Sequence, residues 1–321
     1  MRRQSITRRA RSAWGAAIGN LCPPNVTFVT YHRKRDNNRY DSTYLAALRP
    51  IGVTPMTLVR ALAAGIIAAT MLAQYPAQAE DASAWPGLRK DIFGATAIAE
   101  EDGTILLEAP VRAEDAALVP LTITIPATIA GSVTKLTLIV DENPSPVVAT
   151  FTFGPAAGDQ ERKLTTRVRF DRYTNVRAVT ETKDGALHMT TKFVKASGGC
   201  SAPTGKDTEA ALEGAGRMQI RSVVGKTSSG VNQAQVMIKH PNFTGMQMDQ
   251  LTRDFTPARY IEELQIMSGD QLVFKMVGGI SISENPHFIF TYPVGAGSTL
   301  DVIAKDTTGA VFKGNSQTDG S

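Results

Sequence analysis

Two of the 321 residues are cysteines, Cys22 and Cys200. Cys200 follows Ala196-Ser197-Gly198-Gly199 and precedes Ser201-Ala202-Pro203-Thr204-Gly205. Glycine has no Cβ, so the Gly198-Gly199 pair is predicted to act as a flexible arm that places no bulk beside the thiol. The thiol is predicted exposed and mobile, on a tether able to enter another protein's narrow cleft. Lys195 and Lys206 lie nearby in sequence, and ammonium groups favour the thiolate, which is the nucleophile. A cysteine hydrolase would need a base at the thiol and a rigid seat for both groups. None of His188, His240 and His287 is near Cys200 in sequence, and Gly-Gly supplies the opposite of rigidity. Cys200 therefore reads as a presented thiol without a catalytic apparatus of its own. The bland alternative is an incidental linker cysteine.

Other chemistries find less support. Met246 and Met248 after His240 offer soft ligands of the kind Cu(I) favours, so a copper-handling protein is one alternative. In the polar segment KHPNFTGMQMDQL, however, methionines serve equally as packing or contact residues. No glycine-rich phosphate loop or paired carboxylates stand out, and no cofactor is expected. Arg167, Arg169, Arg172 and Arg177 are read as a solvated sheet face.

Composition explains why the thiol would be isolated. The net charge of +4 is misleading, because residues 1–79 hold 11 of the 34 Lys and Arg and 2 of the 30 Asp and Glu. The remainder carries 23 basic and 28 acidic groups, a net of −5, which gives no electrostatic footprint for nucleic acid. From Met56 the chain reads MTLVRALAAGIIAATMLAQYPAQAED, with Arg60 as a short basic region and Ala61 to Ala73 as an apolar stretch. Ala77-Gln78-Ala79 then supplies a small-x-small cleavage site. Residues 56–79 are predicted to be a secretory signal peptide cut after Ala79, which sends the mature chain to the periplasm. Residues 1–55 have no sustained periodicity, and translation is expected to begin at Met56. No apolar run is long enough to span a bilayer, so no membrane insertion is expected. The mature chain would then own one cysteine in an oxidising compartment, without an internal disulfide partner.

The remaining elements are period-two runs bounded by turn residues. VPLTITI at 119–125, KLTLIV at 135–140, VATFTF at 148–153, KLTTRVRF at 163–170 and the runs at 176–182 and 187–194 all alternate. Asp184-Gly185 marks a hairpin between the last two. Ala196 to Ala215 breaks the pattern, except that Thr208 to Glu213 could form one helical turn. Alternation resumes at 218–223, 234–239, 260–267, 271–277, 287–292, 299–304 and 310–313. Trp85 to Phe93 is the remaining helix candidate. The predicted fold class is all-β: two immunoglobulin-like β-sandwich domains joined by a flexible Gly-rich linker. Their boundaries are 85–200, ending in the Gly-Gly-Cys arm, and 217–314, with the linker at 201–216.

On these residues the chain resembles a known pair of families. Asn143-Pro144-Ser145-Pro146, VATFTFGP, TTRVRF, the Asp184-Gly185 hairpin and Gly198-Gly199-Cys200 resemble SoxY, the carrier subunit of the bacterial sulfur-oxidation (Sox) system. IKHPNFTG, Tyr260 to Met276, Ile280-Ser281, Asn285-Pro286 and HFIFTYPV resemble its partner SoxZ. The resemblance implies that Cys200 carries sulfur intermediates, as in thiosulfate oxidation, while separate enzymes act on them, so the protein would be a carrier and not an enzyme. SoxY typically ends in a free GGCGG arm, whereas here Ser201-Ala202 and a second domain follow. Fused SoxYZ-like proteins of this kind are linked with quinoprotein dehydrogenases. The resemblance therefore implies as partners either Sox-type sulfur-oxidising enzymes or a quinoprotein dehydrogenase with its cytochrome. It also leaves open a non-catalytic accessory module and a thiol-linked homodimer.

Overall fold

The computed structural model describes residues 83–203, 208–223, 230–249, 252–293 and 299–316. The proposed signal peptide, the upstream extension, Cys22 and Lys206 lie outside the described residues.

Among the described residues, fifteen strands form two sheets. In the SoxY-like half these are β1 (Ile98–Glu100), β2 (Leu106–Glu108), β3 (Val119–Ile125), β4 (Val133–Val140), β5 (Val147–Phe153), β6 (Arg162–Val168), β7 (Thr174–Thr182) and β8 (Leu187–Val194). In the SoxZ-like half they are β9 (Met218–Val223), β10 (Val231–Ile238), β11 (Ile261–Ser268), β12 (Gln271–Gly278), β13 (His287–Pro293), β14 (Leu300–Asp306) and β15 (Val311–Asn315). Alternation makes them. In β3, Val119, Leu121, Ile123 and Ile125 are buried while Pro120 faces out. Pro120 pairs with Arg167 on β6 and lies beyond the register of β2, so its missing N–H breaks no ladder. Gly185, at φ +84°, closes the β7–β8 hairpin. Strand β1, three residues long and parallel to β8, carries no sequence signal.

Each sheet runs through both halves. One has the order β1-β8-β7-β4-β5-β12-β11-β14-β15 and the other β2-β3-β6-β13-β10-β9. The junctions are antiparallel: β5 meets β12 with Phe151 opposite Met276, and β6 meets β13 with Leu164 opposite Phe290. One hydrophobic core accordingly crosses the junction. Phe151 packs edge-on against Phe274 and Phe288, with centroids 5.7 and 6.3 Å apart. The sequence treats the halves as two sandwiches on a linker. The structure adds that they complete each other's sheets, which pairs four edges that would otherwise be exposed, those of β5, β12, β6 and β13.

Helix α1 (Trp85–Phe93) starts at a proline-bearing first turn and stops at Gly94, φ +63°. Its Trp85 lies over Arg177 and closes a second apolar cluster with Ile139, Val179, Leu187 and Met189 on the outer face of the β4–β7–β8 sheet. Helix α2 (Ala127–Ala130) is a single turn. Helix α3 (Thr208–Leu212) is the turn expected after the arm.

Candidate functional site: the seated cysteine arm

The chain leaves β6 at Val168, and Arg169-Phe170-Asp171 runs on without strand pairing. Asn143 clamps this segment. Its side-chain amide donates to the Arg169 carbonyl (2.7 Å) and to Ser281 Oγ (3.0 Å), while its oxygen accepts the Asp171 N–H (2.9 Å). The Arg169 N–H donates to the Ser281 carbonyl, and Ser281 Oγ donates to the Ser145 carbonyl. The Asn143-to-Pro146 motif of one half and Ile280-Ser281 of the other thus meet here.

The arm lies on that clamped segment. The N–H groups of Gly198 and Gly199 donate to the carbonyls of Asp171 and Phe170, both at 2.8 Å. Gly199 is pressed against the backbone. A Cβ there would sit 2.5 Å from the Ala116 carbonyl carbon, closer still to its oxygen, and 2.8 Å from the Phe170 oxygen. Gly198 differs: its φ is +81°, and nothing lies within 4 Å of where its Cβ would be. The first glycine supplies a left-handed bend and the second a close approach.

The far wall comes from the SoxZ-like half. Thr244 Oγ1 donates to the Cys200 carbonyl (2.7 Å), and Gln247 Nε2 donates to the Ala202 carbonyl (3.1 Å). Thr244 and Gln247 also hold each other, the Thr244 N–H donating to Gln247 Oε1. Arg169 Nη1 donates to the Gly199 carbonyl (3.2 Å). The loop is braced from behind by His240 and Asn242. Asn242 accepts the Ile261 N–H and donates to the carbonyls of Ile282 and Ser283. His240 meets the Asn242 oxygen through Nδ1, and its Nε2 lies 3.5 Å from Asp306.

The result corrects the expectation of an exposed, mobile thiol. Cys200 is 0% exposed, and burial, then the negative charge of Asp171, pushes its pKa up from 9.0 to about 12, with Arg169 opposing. Desolvation penalises the charged thiolate, so the seated cysteine is a neutral thiol at any physiological pH. Lys195 is exposed, and the charges that shift the thiol are those of Asp171 and Arg169.

The arginine expectation also changes. Arg172 is largely exposed, as a solvated face requires, and Arg167 is partly buried. Arg177 is buried and gripped by both carboxylate oxygens of Asp141 at 2.8–3.0 Å. Arg169 is 2% exposed. The alternation through 163–170 assigns Arg169 to the solvent side, but there the Gly199, Pro241 and Asn242 carbonyls of the arm and the second half cover its side chain.

Two of the histidines are engaged elsewhere: His188 pairs with Asp102 at 2.6 Å, and His240 engages the loop that walls the arm. In the Met246–Met248 segment, the Met246 N–H donates to Thr244 Oγ1, and Gln247 is taken up by the arm. Among the described residues no group of three or more His, Cys, Asp or Glu side chains is placed to hold a metal ion. No described helix is long and apolar enough to cross a membrane. The seat residues Asn143, Arg169, Thr244 and Gln247 carried no chemical motif in the sequence; the Asn-Pro-Ser-Pro turn was the one signal pointing at Asn143.

These features define a β-sandwich protein that keeps one thiol at the junction of two complementary domains. Residues 89–200 match the family model of the sulfur oxidation protein SoxY, and residues 220–317 match that of the sulphur oxidation protein SoxZ. Among solved structures, the sulfur carrier protein SoxY from Chlorobium limicola f thiosulfatophilum shares 28% identity, with a TM-score of 0.28. That likeness covers 34% of this chain and 88% of the other. No curated protein matches. The chain is a fused SoxYZ-like protein, with both Sox-type domains on one polypeptide.

Proposed function

We propose that the protein is a periplasmic covalent carrier, with Cys200 as the attachment point for sulfur intermediates and Gly198-Gly199 as the hinge of its arm. The observation that carries the reading is the position of Cys200. It is the last residue matched to SoxY, and it rests in a seat whose far wall belongs to the SoxZ-like half. A seated thiol at a pKa of about 12 is chemically quiet. Loading therefore needs the arm to leave the seat, which returns the thiol to water and restores its nucleophilicity. Seating again shields whatever has been attached. No base is required on the protein, because partner enzymes supply the chemistry to the extended arm. Those partners are Sox-type sulfur-oxidising enzymes, or a quinoprotein dehydrogenase with its cytochrome. The periplasmic assignment rests on the signal peptide read at residues 56–79.

The burial of the thiol also favours a second reading. A fully buried, neutral cysteine is what a structural residue looks like, and the chain would then be a non-catalytic accessory module for a periplasmic dehydrogenase. Cys200→Ser separates the two. In the carrier, the variant folds and takes up no sulfur adduct from small donors or partner enzymes. In the accessory module, it folds and remains fully functional.

A further inference from the structure

The loop that closes on the arm is rooted in one buried histidine. Residues 240–247 form the far wall: Thr244 and Gln247 hold the arm, and the Pro241 and Asn242 carbonyls lie 3.5 and 3.4 Å from Arg169 Nη2. At the start of the loop, the His240 N–H donates to Asn285 Oδ1 (3.2 Å), and the His240 carbonyl accepts the Asn285 N–H (2.7 Å). The ring is 0% exposed and ties back to Asn242, which turns the chain at φ +46°. Bonds to Ile261, Ile282 and Ser283 orient the Asn242 amide, so its oxygen faces Nδ1 at 2.7 Å and takes the proton there. His240 Nε2 is left bare: it makes no hydrogen bond, and Asp306 stands 3.5 Å away.

A second proton on this ring goes to Nε2. Asp306 faces it, but that carboxylate is already engaged. Its Oδ2 accepts from Arg259 Nε at 2.9 Å, and its Oδ1 accepts from Thr308 and Ala310. Arg259 beside Asp306 and Arg169 against the loop are the cations packed here, and Glu284, next to Asn285, acts on Arg169. From β15 the neighbour is the uncharged Phe312 ring, 6.2 Å away. The Asn242 N–H also points at Nδ1 (3.1 Å), a dipole that opposes added positive charge. An imidazolium in the closed loop is thus one more buried cation around a carboxylate that Arg259 already neutralises, and such a charge is costly. Burial accordingly holds the His240 pKa below 6.5, against the pull of Asn242 and Asp306.

We propose that His240 is a proton-operated latch on the arm: neutral, it keeps the 240–247 loop closed over Cys200, and protonated at Nε2 it opens the loop and frees the arm. This goes beyond the carrier reading and is independent of what Cys200 carries. In the open loop the ring returns to its ordinary 6.5. Closure is therefore at full strength above pH 6.5 and weakens as pH falls below it, by up to about tenfold per pH unit for one proton. The thiolate fraction falls by about the same factor, so acid gives a partner access to the arm without making the sulfur a better nucleophile.

The test uses the full chain carrying Cys22→Ser, so that Cys200 is its single thiol. The probe is dithiodipyridine, which reacts with thiols in acid. Its rate on a Gly-Gly-Cys-Ser-Ala peptide, divided by its rate on the protein at the same pH, gives a protection factor. The expected profile is level from about pH 8 to 7 and falls by up to about tenfold per unit below 6.5, with the circular dichroism of the sheets unchanged. His240→Gln should level the profile. Arg259→Gln should shrink the fall, because Asp306 is then left to receive the Nε2 proton. His287→Gln, at a histidine that faces Arg167 instead, should keep the fall. Protection in the wild-type protein that stays level or rises from pH 7 to 5 overturns the proposal. So does a fall that survives in His240→Gln, or in Arg259→Gln should the first variant not fold, and so does loss of the sheets at the same midpoint.

Discussion

Gly199→Ala isolates the seat from every other property of the protein. The added Cβ would stand 2.5 Å from the Ala116 carbonyl carbon and 2.8 Å from the Phe170 oxygen. Both are backbone atoms, held by the Phe170 N–H donating to the Ala116 carbonyl at 2.8 Å, so neither yields cheaply. The arm must lift instead, giving up its bonds to Phe170, Thr244 and Arg169. The thiol then regains its ordinary pKa of 9.0 in place of about 12. Three pH units are about 4 kcal/mol, or about a thousandfold in thiolate at pH 7.5. The sign follows from which form the seat prefers. It binds the protonated thiol, so seating is fully favourable below pH 9, weakens as pH rises and is lost through about 12. The assay is the rate of iodoacetamide alkylation of Cys200, followed by intact mass across pH. The variant should react up to about a thousandfold faster at pH 7.5, with its pH midpoint moved toward 9. Excursions of the wild-type arm lower that ratio without abolishing it. An acceleration below about threefold with an unchanged midpoint refutes the seat as the cause of the thiol's silence.

Three further outcomes follow from the same contacts. Thr244→Val removes the 2.7 Å bond to the Cys200 carbonyl and should speed alkylation about tenfold, the worth of one buried hydrogen bond. Phe151→Ala opens the shared core between Phe274 and Phe288, and should cost about 3–5 kcal/mol in urea unfolding. Because the sheets are continuous, both halves should unfold in one transition; two separate transitions would contradict the junction. Burial holds the His240 pKa below its usual value despite Asn242 and Asp306, so its neutral form stabilises the fold above pH 6.5, and that contribution is lost as pH falls below it. His240→Gln should flatten the acid limb of a thermal-stability profile; an unaltered limb would exclude His240 as its source.

The strands were legible because their alternation is local. VPLTITI, the 187–194 run and the Asp184-Gly185 turn appear in the structure where their patterns put them. The three-residue β1 was not, since its order comes from pairing with β8 and not from periodicity. Cys200 was legible as the singular residue, but its state was not. Two adjacent glycines suggest freedom, yet Gly199 is there because a backbone oxygen occupies the place of its side chain. The residue that closes the seat, Thr244, lies 44 positions downstream in a polar loop whose IKHPNFTG motif marks a family resemblance but not a role. Arg169 was misassigned because alternation names a face and not what covers it, and the arm and the 241–242 loop, distant in sequence, close over that face. The continuity of the sheets depends on two pairs of edges that are unexceptional separately and complementary together.

The most direct test is the intact mass of the protein recovered from cells, measured before and after reduction. The account predicts a reducible sulfur adduct on Cys200, absent from Cys200→Ser. A uniformly free thiol, which also stays unmodified when Gly199→Ala protein is offered small sulfur donors, would contradict it.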